Sequence, residues 1–343
     1  MSQQLMNRAD QVIAKTYNRF PIVLTRGQGC YLWDTEGRKY IDFVSGIAVC
    51  NLGHAHPKIS EALSIQAVVL LHVSNLYYTV PQIELAYRLT QNSFADRVFF
   101  CNSGAEANEA AITLARKYFK DKGEKERYGI ITMEKSFHGR TMATLSATGQ
   151  DKIKKGFEPV LEGFDHIPFN DIDALQKSIG PSTCAVLLEP IQGEGGVRCP
   201  EPDYLKAVRR LCDETGILLI FDEIQTGMGR TGKLFAYEHF GIEPDIMTLA
   251  KALANGLPIG AMLAREDVAE SLGPGAHAST FGGTPIVTAA SVQVIKVLLE
   301  ENVIRHGEEM GVYFKEKLSG LKAGHESIVD AVSYTHLTLP TMQ

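Results

Sequence analysis

From residue 97 onward, short apolar runs alternate with stretches whose apolar residues recur every three or four positions. Arg97 to Phe100, Tyr128 to Met133, Cys184 to Glu189, Ile217 to Phe221, Pro244 to Leu249 and Gly260 to Ala264 read as strands. Ala105 to Phe119 and Tyr204 to Thr215 read as helices. Apolar runs without polar alternation belong to strands buried on both faces, and strand–helix alternation implies right-handed crossovers. The predicted class is therefore α/β with a mostly parallel central sheet. Upstream, a short helix is predicted near Ala9 to Tyr17, then a small antiparallel meander from Val23 to Arg26, Tyr31 to Asp34 and Lys39 to Phe43, separated by glycine turns. Pro57 opens a helix to about Leu71 and Pro81 another to about Asn92. After Pro285 the pattern changes to two long helices, Ile286 to Glu300 and Val303 to Leu321, which mark a second structural unit.

The stretch Gly216 to Lys233, GILLIFDEIQTGMGRTGK, organises the rest. Its β-branched run ends abruptly in Asp222, which places a carboxylate at a strand's carboxyl end, where ligands of open α/β sheets collect. A helix N-cap is the plain alternative for Asp222. Three chemistries could use the strand. A triphosphate site would need a hydroxyl where Leu234 stands, although Gly227, Gly232 and Lys233 have P-loop spacing. A dinucleotide fold would use Gly227, Gly229 and Gly232, but five residues separate the strand from those glycines. A pyridoxal phosphate site would use Asp222 to keep a pyridine nitrogen protonated, and demands a lysine, a phosphate cradle and a ring-stacking group elsewhere.

Bulk properties narrow the field. At 343 residues the chain is long for one core, so two domains are expected. A net charge of -6 argues against nucleic acid or an anionic membrane as the main partner. The start, MSQQLMNRAD, has no signal-peptide apolar region, and the six scattered cysteines form no C-x-x-C pair, which points to reduced thiols in a cytoplasm. His54 and His56 in NLGHAHP lack a complementary ligand set in the local sequence, so capping and hydrogen-bonding roles are expected and no metal.

The missing parts can be found. In CNSGAEANEA, Ser103 and Glu106 fit a capping box, and Gly104 and Ala105 have no bulk to block an anion lying on a helix N-terminus. Lys251 follows a short strand among small residues, at the carboxyl end of the strand after the one carrying Asp222. SFHGRT puts Phe137, His138 and Arg140 at another carboxyl edge, an aromatic face beside a guanidinium suited to a substrate carboxylate. HASTFGGTP is a hydroxyl-and-glycine loop able to donate to phosphate, or a flexible connection.

Taken together, NSGAEANEAA, SFHGRT, EPIQGEGGV, LLIFDEIQTGMGRTG, AKALANGLPIGA and STFGGTP resemble, in order, the class III, fold type I pyridoxal-phosphate aminotransferases. RFPIVLTRGQG and DFVSGIAVCNLGHAHP are most similar to the acetylornithine-specific branch. The resemblance spans roughly Tyr17 to Val332. It implies Lys251 as the cofactor's covalent anchor and proton carrier, Asp222 at the pyridinium nitrogen, Gln225 at the phenolic oxygen and Phe137 on the ring. Ser103, Gly104 and Ala105 would hold the phosphate with Thr280 from a neighbouring subunit. Arg140 and Ser279 would bind substrate, and Glu194 would be a switch glutamate that masks a second, C-terminal arginine. The implied reaction moves the terminal amino group of N-acetylornithine to 2-oxoglutarate in a cytoplasmic homodimer. Ornithine, succinylornithine, succinyldiaminopimelate or 4-aminobutyrate are alternative donors, and a glutamate-semialdehyde aminomutase or a cofactor-binding fragment without turnover are alternative readings. Residues 1–50 and 281–331 are expected to form a small domain around a large one at 51–280. The tail VSYTHLTLPTMQ breaks the family pattern, so residues 332–343 are expected to be non-native sequence and the small domain incomplete.

Overall fold

The computed structural model describes residues 1–325 and 328. The expectation for residues 332–343 lies outside the described residues. The main body is a seven-stranded sheet whose strands lie side by side in the order 97–101, 260–264, 246–249, 218–222, 183–188, 129–133 and 164–167. Its strands are β4 (Arg97–Cys101), β5 (Gly129–Met133), β6 (Phe164–Ile167), β7 (Thr183–Leu188), β8 (Leu218–Asp222), β9 (Ile246–Leu249) and β10 (Gly260–Ala264). β6, β5, β7, β8 and β9 pair in parallel, whereas β10 runs antiparallel to both β9 and β4. β5, β7, β8, β9 and β10 are buried at every position, which is why their sequences lack alternation.

Because β10 is reversed, β4 regains the direction of β9, and the carboxyl ends of β4, β5, β7, β8 and β9 share one edge. The two sheet faces are covered separately. One carries the Gly104–Asp121 helix, whose Ala110, Ala111, Ile112, Leu114 and Ala115 pack on Ile130, Ala185, Ile220 and Met262. The other carries the Val80–Gln91, Tyr204–Thr215 and Pro285–Glu300 helices, through Leu85, Leu89, Val208, Cys212, Val294 and Leu298. The Pro285–Glu300 helix thus shares the large unit's core.

A separate three-stranded antiparallel sheet joins β1 (Leu24–Gln28), β2 (Tyr31–Asp34) and β3 (Lys39–Ile41), as the turn signals predict. Asp34 ties it together, accepting from Glu36 N, Arg38 N, Arg38 Nε and Tyr40 Oη at 2.7–2.9 Å. Several local expectations shift. The first helix is Ser2–Val12, because the strong helix formers lie there while Thr16 and the run to Pro21 disfavour continuation. The Pro57 helix stops at Ala67, ahead of the exposed β-branched pair Val68 and Val69. His54, in the H-x-H loop, pairs with Asp42 at 2.7 Å, a carboxylate distant enough in sequence to be overlooked.

Candidate active site

The shared edge surrounds a cavity of about 470 Å³. Ser103, Gly104, Ala105, Phe137, Arg140, Glu194, Asp222, Gln225 and Lys251 all line it. These come from the ends of β4, β5, β7, β8 and β9, so topology brings together groups up to 148 residues apart in the chain. Two predicted residues lie outside the lining: Ser279 sits beside it, accepting from Asn102 Nδ2 at 3.1 Å, and Thr280 is exposed.

Asp222 is 3% exposed and held from three sides. Its Oδ2 meets His138 Nδ1 and Asn108 Nδ2, each at 2.8 Å, and its Oδ1 accepts from Ile224 N at 3.1 Å. No α-helix starts after Asp222, so the N-cap alternative is replaced by a turn bonded back from Ile224. The glycines of the nucleotide readings likewise lie in turns with no helix following directly, and lack the anion-binding helix start such a loop needs.

That helix start exists at Ser103. Its hydroxyl accepts from Glu106 N at 3.2 Å, and Glu106 returns to Asn102 N at 2.8 Å, one residue earlier than an ordinary capping box. The first-turn amides of Gly104 and Ala105 have no intrahelical acceptor and carry the positive end of an 18-residue helix.

Lys251 begins the short turn Lys251–Ala254 with φ at 41°, a left-handed conformation uncommon for a side chain of its kind. Burial pushes its ammonium below the usual lysine range, opposed by Glu194, Asp222 and Glu189, while Arg230 pushes it the same way as burial. A lowered lysine is a better nucleophile near neutral pH. Arg140 stands with its guanidinium 5.8 Å from the Phe137 ring centre.

Sequence reading missed the layer behind these groups. Asn108 holds Asp222 and the His138 carbonyl while accepting from Thr248 Oγ1 at 2.7 Å. Glu189, 5% exposed, accepts from two backbone amides, Phe137 N and Gly193 N at 3.2 Å each, and burial raises it above the ordinary carboxylate range. Asn108 lay inside a motif read only for its helix start, and nothing in a linear pattern joins it to Asp222.

The match of the aminotransferase class-III model to residues 12–333 decides the family. The chain belongs to the class-III aminotransferases. Among the relatives of this aminotransferase, the acetylornithine aminotransferase of Caldanaerobacter subterraneus subsp. tengcongensis is 54% identical over 313 residues, covering 91% of this chain and 79% of the relative. That of Methanocaldococcus jannaschii is 52% identical over 308 residues, 89% and 77% of the two chains. Of solved structures, the ornithine aminotransferase of Toxoplasma gondii has a TM-score of 0.90 at 35% identity, covering 93% of this chain and 76% of its own. The acetylornithine aminotransferase of Elizabethkingia anophelis has 0.83 at 36%, covering 94% and 79%.

Aminotransferases of this class depend on pyridoxal 5'-phosphate, and the residues here fit it. The helix start suits its phosphate, the Phe137 face its ring and buried Asp222 a protonated ring nitrogen. Gln225 lines the same cavity, and its Oε1, buried without a partner among the described residues, faces Gly193, which leaves the amide NH2 as the group that could donate to a ligand. A Cβ on Gly193 would fall 1.7 Å from that oxygen, so glycine is what lets the amide occupy this place. Among the described residues no helix is long and apolar enough to cross a membrane.

Proposed function

We propose that this class-III aminotransferase moves the terminal amino group of N2-acetylornithine to 2-oxoglutarate, giving N-acetylglutamate semialdehyde and glutamate, a step of arginine biosynthesis. The observation that carries the reading is the meeting of Lys251, Asp222 and the Ser103–Ala105 helix start in one cavity. Identity of 51–54% to acetylornithine aminotransferases supports the choice of donor.

When bound, pyridoxal phosphate supplies an aldehyde that takes up nitrogen and a conjugated ring that accepts electrons. The chain supplies the rest. Gly104 and Ala105 amides with Ser103 hold the phosphate, Phe137 covers the ring, Gln225 donates to the phenolic oxygen, and Asp222 fixes the charge of the ring nitrogen. Asn108 and His138 keep the Asp222 carboxylate aimed. Lys251 Nζ anchors the cofactor, then takes the proton from the substrate carbon bearing nitrogen. Its depressed proton affinity suits that exchange near neutral pH. Arg140 and Ser279 orient substrate, Arg140 through a carboxylate. Glu194 serves as the switch whose arginine partner belongs to the family's C-terminal part.

The protein is further proposed to work in the cytoplasm as a homodimer with Thr280 serving the neighbouring site. Its exposure, and that of Leu76, Tyr77, Tyr78, Val80 and Phe281, supports such an interface. The division into 51–280 flanked by 1–50 and 281–331 is kept as a proposal, supported at the amino end by the separate β1–β3 sheet and opposed at residue 281 by the Pro285–Glu300 helix, which packs in the large unit's core. The test is steady-state assay of N-acetylornithine against ornithine and 4-aminobutyrate with 2-oxoglutarate. A clear kcat/KM preference for N-acetylornithine is expected; preference for another donor would overturn the assignment. Turnover of glutamate semialdehyde without 2-oxoglutarate would favour an aminomutase.

A further inference from the structure

A second cavity, of about 440 Å³, lies apart from the one above, bounded by Asn51, Gly229, Arg230, Leu298, Ile304 and His306 among others. Among the described residues that line it, Arg230 is the only arginine or lysine. The guanidinium carries five donors, yet among the described residues its one acceptor is Asn51 Oδ1, and Nε is buried with no partner. None of the ion pairs among the described residues includes it. Arg209, whose Nε also lacks a partner among the described residues, differs in having its charge matched, by Asp213 and Asp245 at 2.8 Å each. Burial lowers Arg230 to about 10, with only Cys50 opposing.

A buried guanidinium without an anion costs several kcal/mol in the general case, and bidentate carboxylates are its usual partner. The remaining walls, Leu298, Val303, Ile304 and Met310, are aliphatic. We propose that this cavity binds a carboxylate on the Arg230 guanidinium, with the short aliphatic body of the acid against Leu298 and Ile304. Two sources share that chemistry. One is a free organic acid; the other is a side chain of residues 326–343, which contain Glu326 and Asp330 and no lysine or arginine.

The experiment follows thermal unfolding of the cofactor-loaded protein in sodium pentanoate, in pentanamide and in sodium chloride of equal ionic strength, for wild type and Arg230→Met. Methionine removes the charge with little change of volume, so the variant is expected to fold and to melt no lower than wild type in chloride. Pentanoate should raise the wild-type midpoint by at least about 2 °C and leave Arg230→Met unmoved, with pentanamide inert on both. That outcome supports the site and makes the source a free acid. If pentanoate does nothing to wild type, but Glu326→Gln or Asp330→Asn lowers its midpoint and spares Arg230→Met, the site stands with the chain's own carboxylate in it. Equal responses of wild type and Arg230→Met to pentanoate would place binding at Arg140 or elsewhere and overturn the proposal. Absence of both effects would overturn it as well. None of these readouts depends on transamination, so they stand or fall apart from the proposed activity.

Discussion

At the residue scale the site is a set of charges whose values are fixed by what lies behind them. Asp222 is accommodated at 3% exposure because His138, Asn108 and the Ile224 amide supply hydrogen bonds that water would otherwise provide. Asp222→Asn removes the charge while keeping the shape. We expect kcat/KM to fall by about 10²–10³-fold, the order associated with losing a preorganised electrostatic contact, with the cofactor's visible band altered in the same sample. Gly193→Ala tests packing instead of charge. A methyl 1.7 Å from Gln225 Oε1 must displace the amide, so the expected outcome is a stability loss of about 1–3 kcal/mol by denaturant titration together with weaker cofactor binding. Lys251 and Asp222 were legible in sequence because each ends an apolar run abruptly. Asn108, Thr248 and Glu189 were not, since Asn108 lies 140 residues from Thr248 and neither has a local signature.

At the element scale, the buried strands announced themselves and the exposed ones did not. β6 escaped notice because FDHI is a half-exposed edge of four residues, too short to show either period. The Met142–Ala147 helix was hidden by two threonines and a serine, poor helix formers that here make a mutual cap, Thr141 with Thr144. The reversal of β10 carries no mark in the sequence; what fixes it is the brevity of Lys251 to Ile259, too few residues to cross over and return parallel. The meander offers a pH test. Burial alone would raise Asp34, but donation from Arg38, Tyr40 and two backbone amides overrides it and holds the carboxyl far below its ordinary range. A carboxyl lowered in the folded state contributes stability that is present above its unfolded value and is lost as pH falls through its folded one. Wild type should therefore lose part of its unfolding free energy on acidification below about pH 4, whereas Asp34→Asn should start less stable at neutral pH and show a smaller acid-dependent loss.

For the whole molecule, exposed apolar surface is the feature that a lone chain leaves unexplained. Val68 at 87%, Leu76 at 86%, Tyr78 at 95% and Val80 at 80% exposure fall in one stretch of sequence that bonds to the 279–284 loop through Asn75. In the proposed homodimer this stretch is covered. Tyr78→Glu is then expected to shift the sedimenting species from dimer toward monomer and to lower activity in parallel, because Thr280 would no longer reach its neighbour's site. An unchanged dimer would separate the stretch from the interface.

The cavity lined by Val49 at one extreme and Ile259 at the other draws its walls from positions up to 210 residues apart in the chain. Loop closures of that span come late on a folding route. On dilution from denaturant with pyridoxal phosphate present, far-UV ellipticity should therefore recover before the bound chromophore's colour does. The vitamin derivative would serve as a clock for the last event of assembly, and an early-binding intermediate would show as colour running ahead of structure.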